Sequence, residues 1–348
     1  MKAPFSILIF LLSINFCIGQ TTKDSFYYKK VAEKGVKFIS VANGEYKVFT
    51  QKIGKGKLKL LLLHGGPLNT HEYFENFPEN LKKDGIEIYY YDQLGSYYSD
   101  QPGDTSIWEA DNLVEQIEDV RKGLQLKNFY ILGHSWGGML AQLYGAKYKR
   151  HLKGIILSNT FAQIRDTKKL YNSKRSLDST ISNQVYSLPE FSTKYRVILD
   201  SIAQRQKISD TQLLKTVLSL YRIKEDSIVR RNFNFRGDIR PEPLTRNGQH
   251  INRKMREQVP QVYKIINADY ISAIEKIECP VLIIGGFYDR MYQDLYPEMK
   301  KHFIKTKARV YVCPNGSHFS MWDDTENYFR EVVRFLKNVE SKSFDPDN

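Results

Sequence analysis

A serine at position 135 lies in the segment Gly133–Gly137, with the sequence Gly-His-Ser-Trp-Gly, between an apolar run and a helical pattern. A serine hydroxyl is a weak nucleophile until a neighbouring base takes its proton. It must also be exposed on a sharp turn, and glycines on both sides permit that turn because larger side chains would clash. This position between a strand and a helix indicates an attacking serine. The alternative is an ordinary glycine-rich turn.

Two further residues could complete the chemistry, because each follows a run of strand length. Asp289 comes after the apolar run 281–284, and His318 comes after a run that ends near Cys313. In open α/β sheets, ligands bind beyond the carboxyl ends of the strands. We therefore predict a triad in which His318 takes the proton of Ser135 and Asp289 orients the imidazole. The chain order Ser, Asp, His is that of the α/β-hydrolases.

The choice of His318 rests on elimination among seven histidines. Only His64, His134 and His318 follow predicted strand ends. His134 is adjacent to the serine and is expected to point away from it. His64 is interpreted as a structural residue that braces its loop, with the role of catalytic base as the alternative.

The segment His64–Pro67, with the sequence His-Gly-Gly-Pro, follows the first long apolar run. Acyl transfer places negative charge on the carbonyl oxygen, and backbone N–H groups aimed at that oxygen stabilise it. Loss of one such donor typically raises the barrier by about 3–4 kcal/mol. Glycines let the backbone approach the reacting centre closely. The amides of Gly66 and Trp136 are the predicted oxyanion donors.

Secondary-structure elements must position these residues. The sequence contains short apolar runs that alternate with helical patterns. Helical spacing is found over 113–124 and 139–144, and a closing helix is predicted around 328–336. Asn43-Gly44 predicts a hairpin within 38–53. Strands are predicted at 58–63, 86–91, 129–132, 154–158, 281–284 and 309–312. The alternation indicates a mostly parallel sheet covered by helices on both faces.

The alternation breaks over residues 160–269, where we predict polar helices and no strand. A chain of 348 residues fits one large α/β domain with an insertion. We therefore predict a core formed by 20–159 and 270–348 and a helical cap formed by 160–269.

The first residues have the pattern of a secretory signal peptide, residues 1–19. Lys2 precedes an apolar run over 5–16, and small residues follow near Gly19. The run is shorter than the roughly 20 residues of a comfortable membrane span. We expect cleavage after Gly19 and export to the periplasm or beyond, without stable membrane insertion. An uncleaved anchor is the alternative.

Cys279 and Cys313 are the two cysteines outside that segment. Export would permit a disulfide. Cys279 lies just before one predicted strand, however, and Cys313 lies at the end of the next. At about 3.3 Å per residue these opposite ends are roughly 15 Å apart, whereas a disulfide needs Cα atoms within about 7 Å. We predict two free thiols.

Most of the net charge of +13 lies in the predicted cap, which contains 21 Lys and Arg residues and 11 Asp and Glu residues. A basic region could contact nucleic acid or a membrane surface. No helix-turn-helix, zinc-finger or RNA-binding motif accompanies it. We interpret it as a solvated helical surface and expect no nucleic-acid partner.

The sequence resembles the prolyl aminopeptidases (proline iminopeptidases), including the tricorn-associated aminopeptidase, over roughly 38–336. The resemblance rests on five segments: His64–Pro67, Tyr91–Gly95, Gly133–Gly138, Gly286–Asp289 and Gly316–Trp322. It implies an α/β-hydrolase fold with a helical cap between the sixth and seventh core strands. It also implies release of one N-terminal residue from short peptides, with no metal or cofactor.

The sequence also departs from the family pattern. Where the family usually has a small residue, glycine, a basic residue and serine, residues 96–99 are Ser-Tyr-Tyr-Ser, and Leu68 stands where glycine is frequent. An exopeptidase must bind a charged ammonium group, for which carboxylates are natural partners. The resemblance places one such carboxylate at Glu257, for which a solvated cap residue without a role in binding is the alternative. A second would follow the acid, where this chain has Arg290.

Three functions therefore remain open. The leading hypothesis is an exported serine aminopeptidase. An esterase, amidase or lactonase on the same scaffold is favoured by Arg290 and the basic cap, because a fold alone does not define a substrate. A binding protein without catalysis is the third, and the complete triad argues against it. The sequence does not define the oligomeric state.

Overall fold

The computed structural model describes residues 25–67, 69–103, 106–162, 270–287, 289, 295–316 and 318–347. The chain divides into two compact units, Met1–Lys34 and Gly35–Asn348. In the first unit, the described part contains helix α1, Ser25–Val31. Lys30 and Glu33 form an ion pair of 3.1 Å there.

The second unit contains an eight-stranded sheet with the order β1-β2-β4-β3-β5-β6-β7-β8. The strands are β1 Val36–Val41, β2 Tyr46–Ile53, β3 Leu58–Leu63, β4 Ile86–Tyr91, β5 Phe129–His134, β6 Leu152–Ser158, β7 Val281–Gly286 and β8 Ala308–Cys313. β1, β2 and β4 pair antiparallel, and the pairs from β4 through β8 are parallel. The predicted mostly parallel sheet is confirmed.

Seven helices of the described chain accompany this sheet. They are α2 Phe77–Leu81, α3 Ala110–Gly123, α4 Trp136–Lys147, α5 Tyr270–Ile274, α6 Tyr296–Lys301, α7 Ser320–Asp323 and α8 Thr325–Glu340.

Alternate residues of the central strands face two separate cores. On β3, Leu61 and Leu63 join the core that holds α3 and α4, whereas Leu60 and Leu62 join the core that holds α2 and α8. Successive side chains of a strand point to opposite faces, so a continuous apolar run supplies both cores at once. The strand runs read from the sequence are therefore found with ends shifted by at most two residues.

The hairpin turn between β1 and β2 also matches its sequence signal. Asn43 and Gly44 have φ angles of 56° and 91°. Asparagine and glycine are the residues that tolerate this left-handed region best.

Several predictions fall outside the described residues. They concern the signal segment 1–19, Glu257, Arg290 and Leu68. Almost the whole predicted cap, residues 163–269, is also outside them, and it lies between β6 and β7 in the chain.

Both cysteines of the core are buried, free thiols. β7 and β8 are parallel neighbours in which Val281 pairs with Ala308 and Gly286 pairs with Cys313. Cys279 precedes β7, so the two thiols lie at opposite ends of this strand pair, as the sequence predicted.

Thiol reactivity tests this arrangement. Burial raises the pKa of Cys279 to about 12 and also raises that of Cys313. Because the thiolate is the reactive form, we expect neither thiol to react with a disulfide reagent at pH 8 until the protein unfolds in denaturant. Peptide mapping after denaturation should find both labelled. A tryptic pair linked through these two cysteines would contradict the register of β7 and β8.

Candidate active site

Ser135 lies at the sharp turn between β5 and α4, with φ 52° and ψ −118°. A non-glycine residue adopts such angles only where its surroundings determine them, at a cost of roughly 1–3 kcal/mol. The N–H of Ser135 donates to the carbonyl of Ser158 over 2.9 Å. Its own carbonyl accepts from the Thr160 hydroxyl over 2.7 Å and from the amide of Gly138 over 3.0 Å. These bonds hold the serine at the carboxyl edge of the sheet.

The close approach of α4 to the sheet requires glycine at position 137. A Cβ there would collide with the backbone carbonyls of Leu63 and His64 at the end of β3. Any larger residue would push the first turn of α4 away from β3. The glycine therefore keeps Ser135 and Trp136 next to the loop that follows β3.

His318 and Asp289 form the second part of the site. Nδ1 of His318 lies 3.2 Å from Oδ2 of Asp289, and the Asp289 side chain is fully buried. A carboxylate accepts only, so a neutral His318 carries its proton on Nδ1 and keeps Nε2 as the basic nitrogen. This is the tautomer that a general base for serine requires.

Asp289 has two further hydrogen-bond donors that the sequence analysis missed. The Asn159 side chain donates to Oδ2 over 2.8 Å, and the Tyr296 hydroxyl donates to the same oxygen over 3.1 Å. A buried charge needs such donors, because an unpaired one is costly. Together with His318 they fix the position of the carboxylate.

Asn159 reaches the acid because of where β6 ends. The backbone N–H of Asn159 donates to the Ile284 carbonyl on β7 over 2.8 Å, and the φ angle of this residue is 47°. One signal was present in the sequence, since the polar residues 158–160 directly follow an apolar strand. Tyr296 carried no comparable signal, because it resembles any core residue of a helix.

His134 connects His318 to the nucleophile turn. Its Nε2 donates to the His318 carbonyl over 2.8 Å, and the two rings lie 4.9 Å apart. The ring of Phe319 stacks on His134 at 5.3 Å. His318, the predicted base, is thus anchored to the residue that precedes Ser135.

His134 itself is held as a neutral, structural imidazole. Nε2 carries the proton, because a carbonyl can only accept, and Nδ1 then accepts from the Tyr73 hydroxyl over 3.2 Å. Burial, followed by the nearby His318, lowers the pKa of His134 to about 3. The prediction that this ring points away from the reacting hydroxyl agrees with these contacts.

The loop after β3 lies directly against Ser135. A Cβ added at Gly65 would lie 3.1 Å from Cβ of Ser135. The next residue, Gly66, has a φ of 122°, which glycine adopts without strain. Among the residues that the structure describes, the backbone N–H groups of Gly66 and Trp136 donate to no acceptor. Two backbone donors beside the serine are therefore free to bind an anionic oxygen.

His64 lies behind this loop, fully buried, and its pKa is lowered chiefly by burial. It accepts from the amide of Gln93 over 3.0 Å and contacts the Gly65 carbonyl at 2.8 Å. These contacts support its interpretation as a bracing residue.

Residues of the segment 96–99, which was compared with the family pattern above, form hydrogen bonds that support the loop after β4. The Ser99 hydroxyl donates to the Asp92 carbonyl over 2.6 Å and accepts from the Phe49 amide over 2.9 Å. Tyr98 donates to Glu72 over 2.9 Å. These bonds brace the loop after β4 and do not involve the triad.

Two negative findings apply to the described part of the chain. No group of three or more His, Cys, Asp or Glu side chains there could hold a metal ion. None of its helices has both the length and the apolar character of a membrane span.

Comparison with known proteins gives consistent results. The family model described as alpha/beta hydrolase fold matches residues 60–325. A proline iminopeptidase of Elizabethkingia meningoseptica is 34% identical over 321 residues, which cover 88% of this chain and 99% of that protein. The crystal structure of Mycobacterium smegmatis proline iminopeptidase matches with a TM-score of 0.63 and 19% identity, over 89% of this chain and 100% of that one. An esterase from Exiguobacterium antarcticum matches with a TM-score of 0.55 and 19% identity, over 86% and 99%. Both structures share the fold.

The depressed pKa of His134 predicts a pH dependence of stability. Its folded pKa of about 3 lies below the ordinary histidine value, so as the pH falls below about 6.5 only the unfolded chain takes up this proton. Stability therefore decreases on acidification. Between pH 7 and pH 4 this one group should remove about 3 kcal/mol from the free energy of unfolding.

The variant His134→Gln can keep the donor to the His318 carbonyl but does not titrate. Urea unfolding of both proteins from pH 8 to pH 4 should show a shallower decline for the variant. Parallel pH profiles would mean that His134 takes up its proton in the native state as readily as in the unfolded chain.

Asn159→Ala tests the support of the acid. Loss of this donor should let Asp289 move and misorient His318, and a small misplacement can reduce turnover by roughly 10- to 100-fold. The expected result is a lower kcat with little change in KM. Asn112→Ala on the exposed side of α3, where the amide donates to the Ser106 carbonyl, is the matched control. Equal kinetics for the two variants would remove Asn159 from the mechanism.

Proposed function

The chain belongs to the proline iminopeptidase family of alpha/beta hydrolases, and we propose that it is a serine aminopeptidase. It releases an N-terminal residue, proline or another small or apolar residue, from short peptides. The observation that carries this proposal is the pairing of the buried Asp289 with His318, which is anchored through His134 to the Ser135 turn.

The first half-reaction forms an acyl-enzyme. The Ser135 hydroxyl attacks the carbonyl carbon of the first residue, and Nε2 of His318 takes its proton. The substrate carbonyl oxygen becomes an oxyanion that accepts hydrogen bonds from the backbone amides of Gly66 and Trp136. His318 then donates its proton to the leaving amine as the C–N bond breaks.

The second half-reaction releases the product. His318 takes a proton from water, and the resulting hydroxide attacks the ester carbon. The same two amides bind the second oxyanion, and the proton returns to the Ser135 oxygen as the C–O bond breaks. Asp289 stabilises the imidazolium ion in both halves without taking up a proton.

The preference for a free N-terminus is part of the proposal. The relative that shares 34% identity bears the name proline iminopeptidase. We assign the recognition of the substrate ammonium to Glu257 in the cap, and we expect the cap to limit the substrate to short chains. Arg290 must point away from the ammonium group for this assignment to hold.

The second candidate is an esterase, amidase or lactonase that uses the same triad. Arg290 and the surplus of basic residues in 160–269 favour an anionic acyl group. A solved structure of similar fold is named an esterase, and a shared fold does not by itself define the substrate.

Localisation forms a separate part of the proposal. The segment 1–19 directs export, and the mature chain begins at Gln20. Mass spectrometry of the N-terminal peptide from the native host would find Gln20 first. A peptide that retains residues 1–19 would favour the anchor.

A substrate panel separates the two candidates. Prolyl, alanyl and leucyl anilides with a free amine should be cleaved, whereas their N-blocked forms should be cleaved at least about 100-fold less efficiently, as expected where a buried charge loses its partner. Ser135→Ala is the control and should be inactive. Equal cleavage of blocked anilides or of simple p-nitrophenyl esters would contradict the aminopeptidase assignment and favour the esterase.

Glu257→Gln examines the ammonium site. Removing the carboxylate charge should raise KM for free-amine anilides by roughly 10-fold, about 1.4 kcal/mol. KM for uncharged esters should change little. Glu242→Gln, also within the predicted cap 160–269, serves as the control. A similar change in KM for both substrate classes would discard Glu257 as the anchor.

A further inference from the structure

The hydrogen bonds of His64 define which of its ring nitrogens carries the proton. The backbone N–H of Gln93 lies 3.0 Å from Nε2, and a backbone amide can only donate. Nε2 is therefore the acceptor, and Nδ1 carries the hydrogen. Nδ1 lies 2.8 Å from the Gly65 carbonyl oxygen, to which it donates. Burial, which lowers the pKa of His64, is consistent with a neutral ring.

The Gly65 carbonyl belongs to the same peptide group as the Gly66 N–H. That peptide group is planar and trans, since the only cis bond of the described chain is Gly66-Pro67. In a trans peptide the C=O and N–H point in opposite directions. A hydrogen bond that holds the carbonyl oxygen therefore aims the Gly66 N–H, and it also polarises that donor.

Gly65 is also held at its own N–H. This amide donates to the Tyr73 hydroxyl, and that hydroxyl donates to His134, the residue before the nucleophile. The peptide on each side of Gly65 thus has a fixed partner. The loop cannot rotate without breaking one of them.

The Gln93 side chain joins the two halves of the predicted oxyanion hole. Its Nε2 donates to the His64 carbonyl over 2.9 Å. Its Oε1 accepts from the indole N–H of Trp136 over 3.0 Å. Both side chains are buried. One amide therefore spans the loop that carries Gly66 and the helix residue that carries the second donor.

We propose that His64 and Gln93 are positioning residues that align the Gly66 and Trp136 N–H groups on the oxyanion of the tetrahedral intermediate. The inference rests on the proposed acyl-transfer function. Neither side chain needs to touch the substrate. The backbone of Gln93 orients His64, and His64 aims the Gly66 N–H. The Gln93 side chain sets the distance between the Gly66 and Trp136 N–H groups.

The kinetic signature of this role differs from that of simple structural support. Misaligned oxyanion donors weaken binding of the transition state and leave binding of the ground state largely intact. A residue that serves stability alone would lower the melting temperature and the fraction of folded enzyme, but not the turnover of correctly folded molecules.

Gln93→Leu and Trp136→Phe are the principal variants. The first removes the bridging amide, and the second removes the indole N–H that binds it together with part of the buried ring. Gln116→Leu is the matched control, because Gln116 is also buried and accepts from the Leu94 amide over 3.1 Å in the same loop. Gln116 contacts neither His64 nor Trp136 in the bonds described for it.

We expect kcat to fall by roughly 10- to 100-fold in both principal variants, less than the loss of a whole donor, with KM changed by less than about 3-fold. An uncharged trifluoromethyl ketone, which forms a tetrahedral oxyanion adduct with the serine, should lose affinity by the same factor as kcat/KM. ¹⁹F NMR should show the adduct ionising at higher pH than in the wild type. Gln116→Leu should lower the melting temperature without these changes.

Substitution of His64 gives an independent test. His64→Asn can still donate to the Gly65 carbonyl, whereas His64→Leu cannot. We expect Asn to retain several-fold more kcat than Leu at equal thermal stability. Equal activities for the two would overturn the role of the Nδ1 donor.

Unchanged kcat and unchanged ketone affinity in folded Gln93→Leu and Trp136→Phe would overturn the proposal as a whole. Failure of the aminopeptidase assignment is distinguishable from this outcome, because the oxyanion test runs equally well on an ester substrate. Failure of serine catalysis is distinguishable too, because it would appear as activity that survives Ser135→Ala in the parent enzyme.

Discussion

The site depends on the left-handed backbone of Ser135 at the end of β5. Both peptide groups of this residue are bonded to the segment that leaves β6, through Ser158 and Thr160. Gly137 lets α4 begin directly against β3. One tight turn therefore brings together the hydroxyl, the positive end of the α4 dipole and the loop after β3. A change that relaxed the turn would separate all three.

The buried carboxylate of Asp289 is the second constraint, because it needs hydrogen-bond donors. Separate elements of the fold supply them. Asn159 follows β6, Tyr296 belongs to α6, and His318 follows β8, yet all three reach Oδ2 of Asp289. Parallel strands make this possible, because their carboxyl ends meet at one edge of the sheet. The same arrangement links His318 to the nucleophile through His134. Asp289, His318 and the Ser135 turn are thus coupled through backbone as well as side-chain bonds.

Much of this arrangement could be predicted from local sequence. Strands such as Leu58–Leu63 were readable because a buried parallel strand must be apolar on both faces, and Ser135 was readable because its turn needs flanking glycines. The bonds between distant segments could not be predicted this way. Tyr296 and Gln93 have no local pattern that assigns them a partner, because their roles arise only when strands far apart in the chain become neighbours. The assignment of Glu257 likewise remains a prediction.

We propose that Ser135 is the nucleophile and that the His318–Asp289 pair activates it. Intact-protein and peptide mass spectrometry with a fluorophosphonate measures this directly, since the reagent reacts much faster with an activated serine than with an ordinary hydroxyl. We expect one adduct per chain, on Ser135, and a labelling rate that falls at least about 10³-fold in His318→Gln, with a smaller loss in Asp289→Asn. Labelling at another residue, no labelling of the folded enzyme, or equal rates in all three proteins would contradict it.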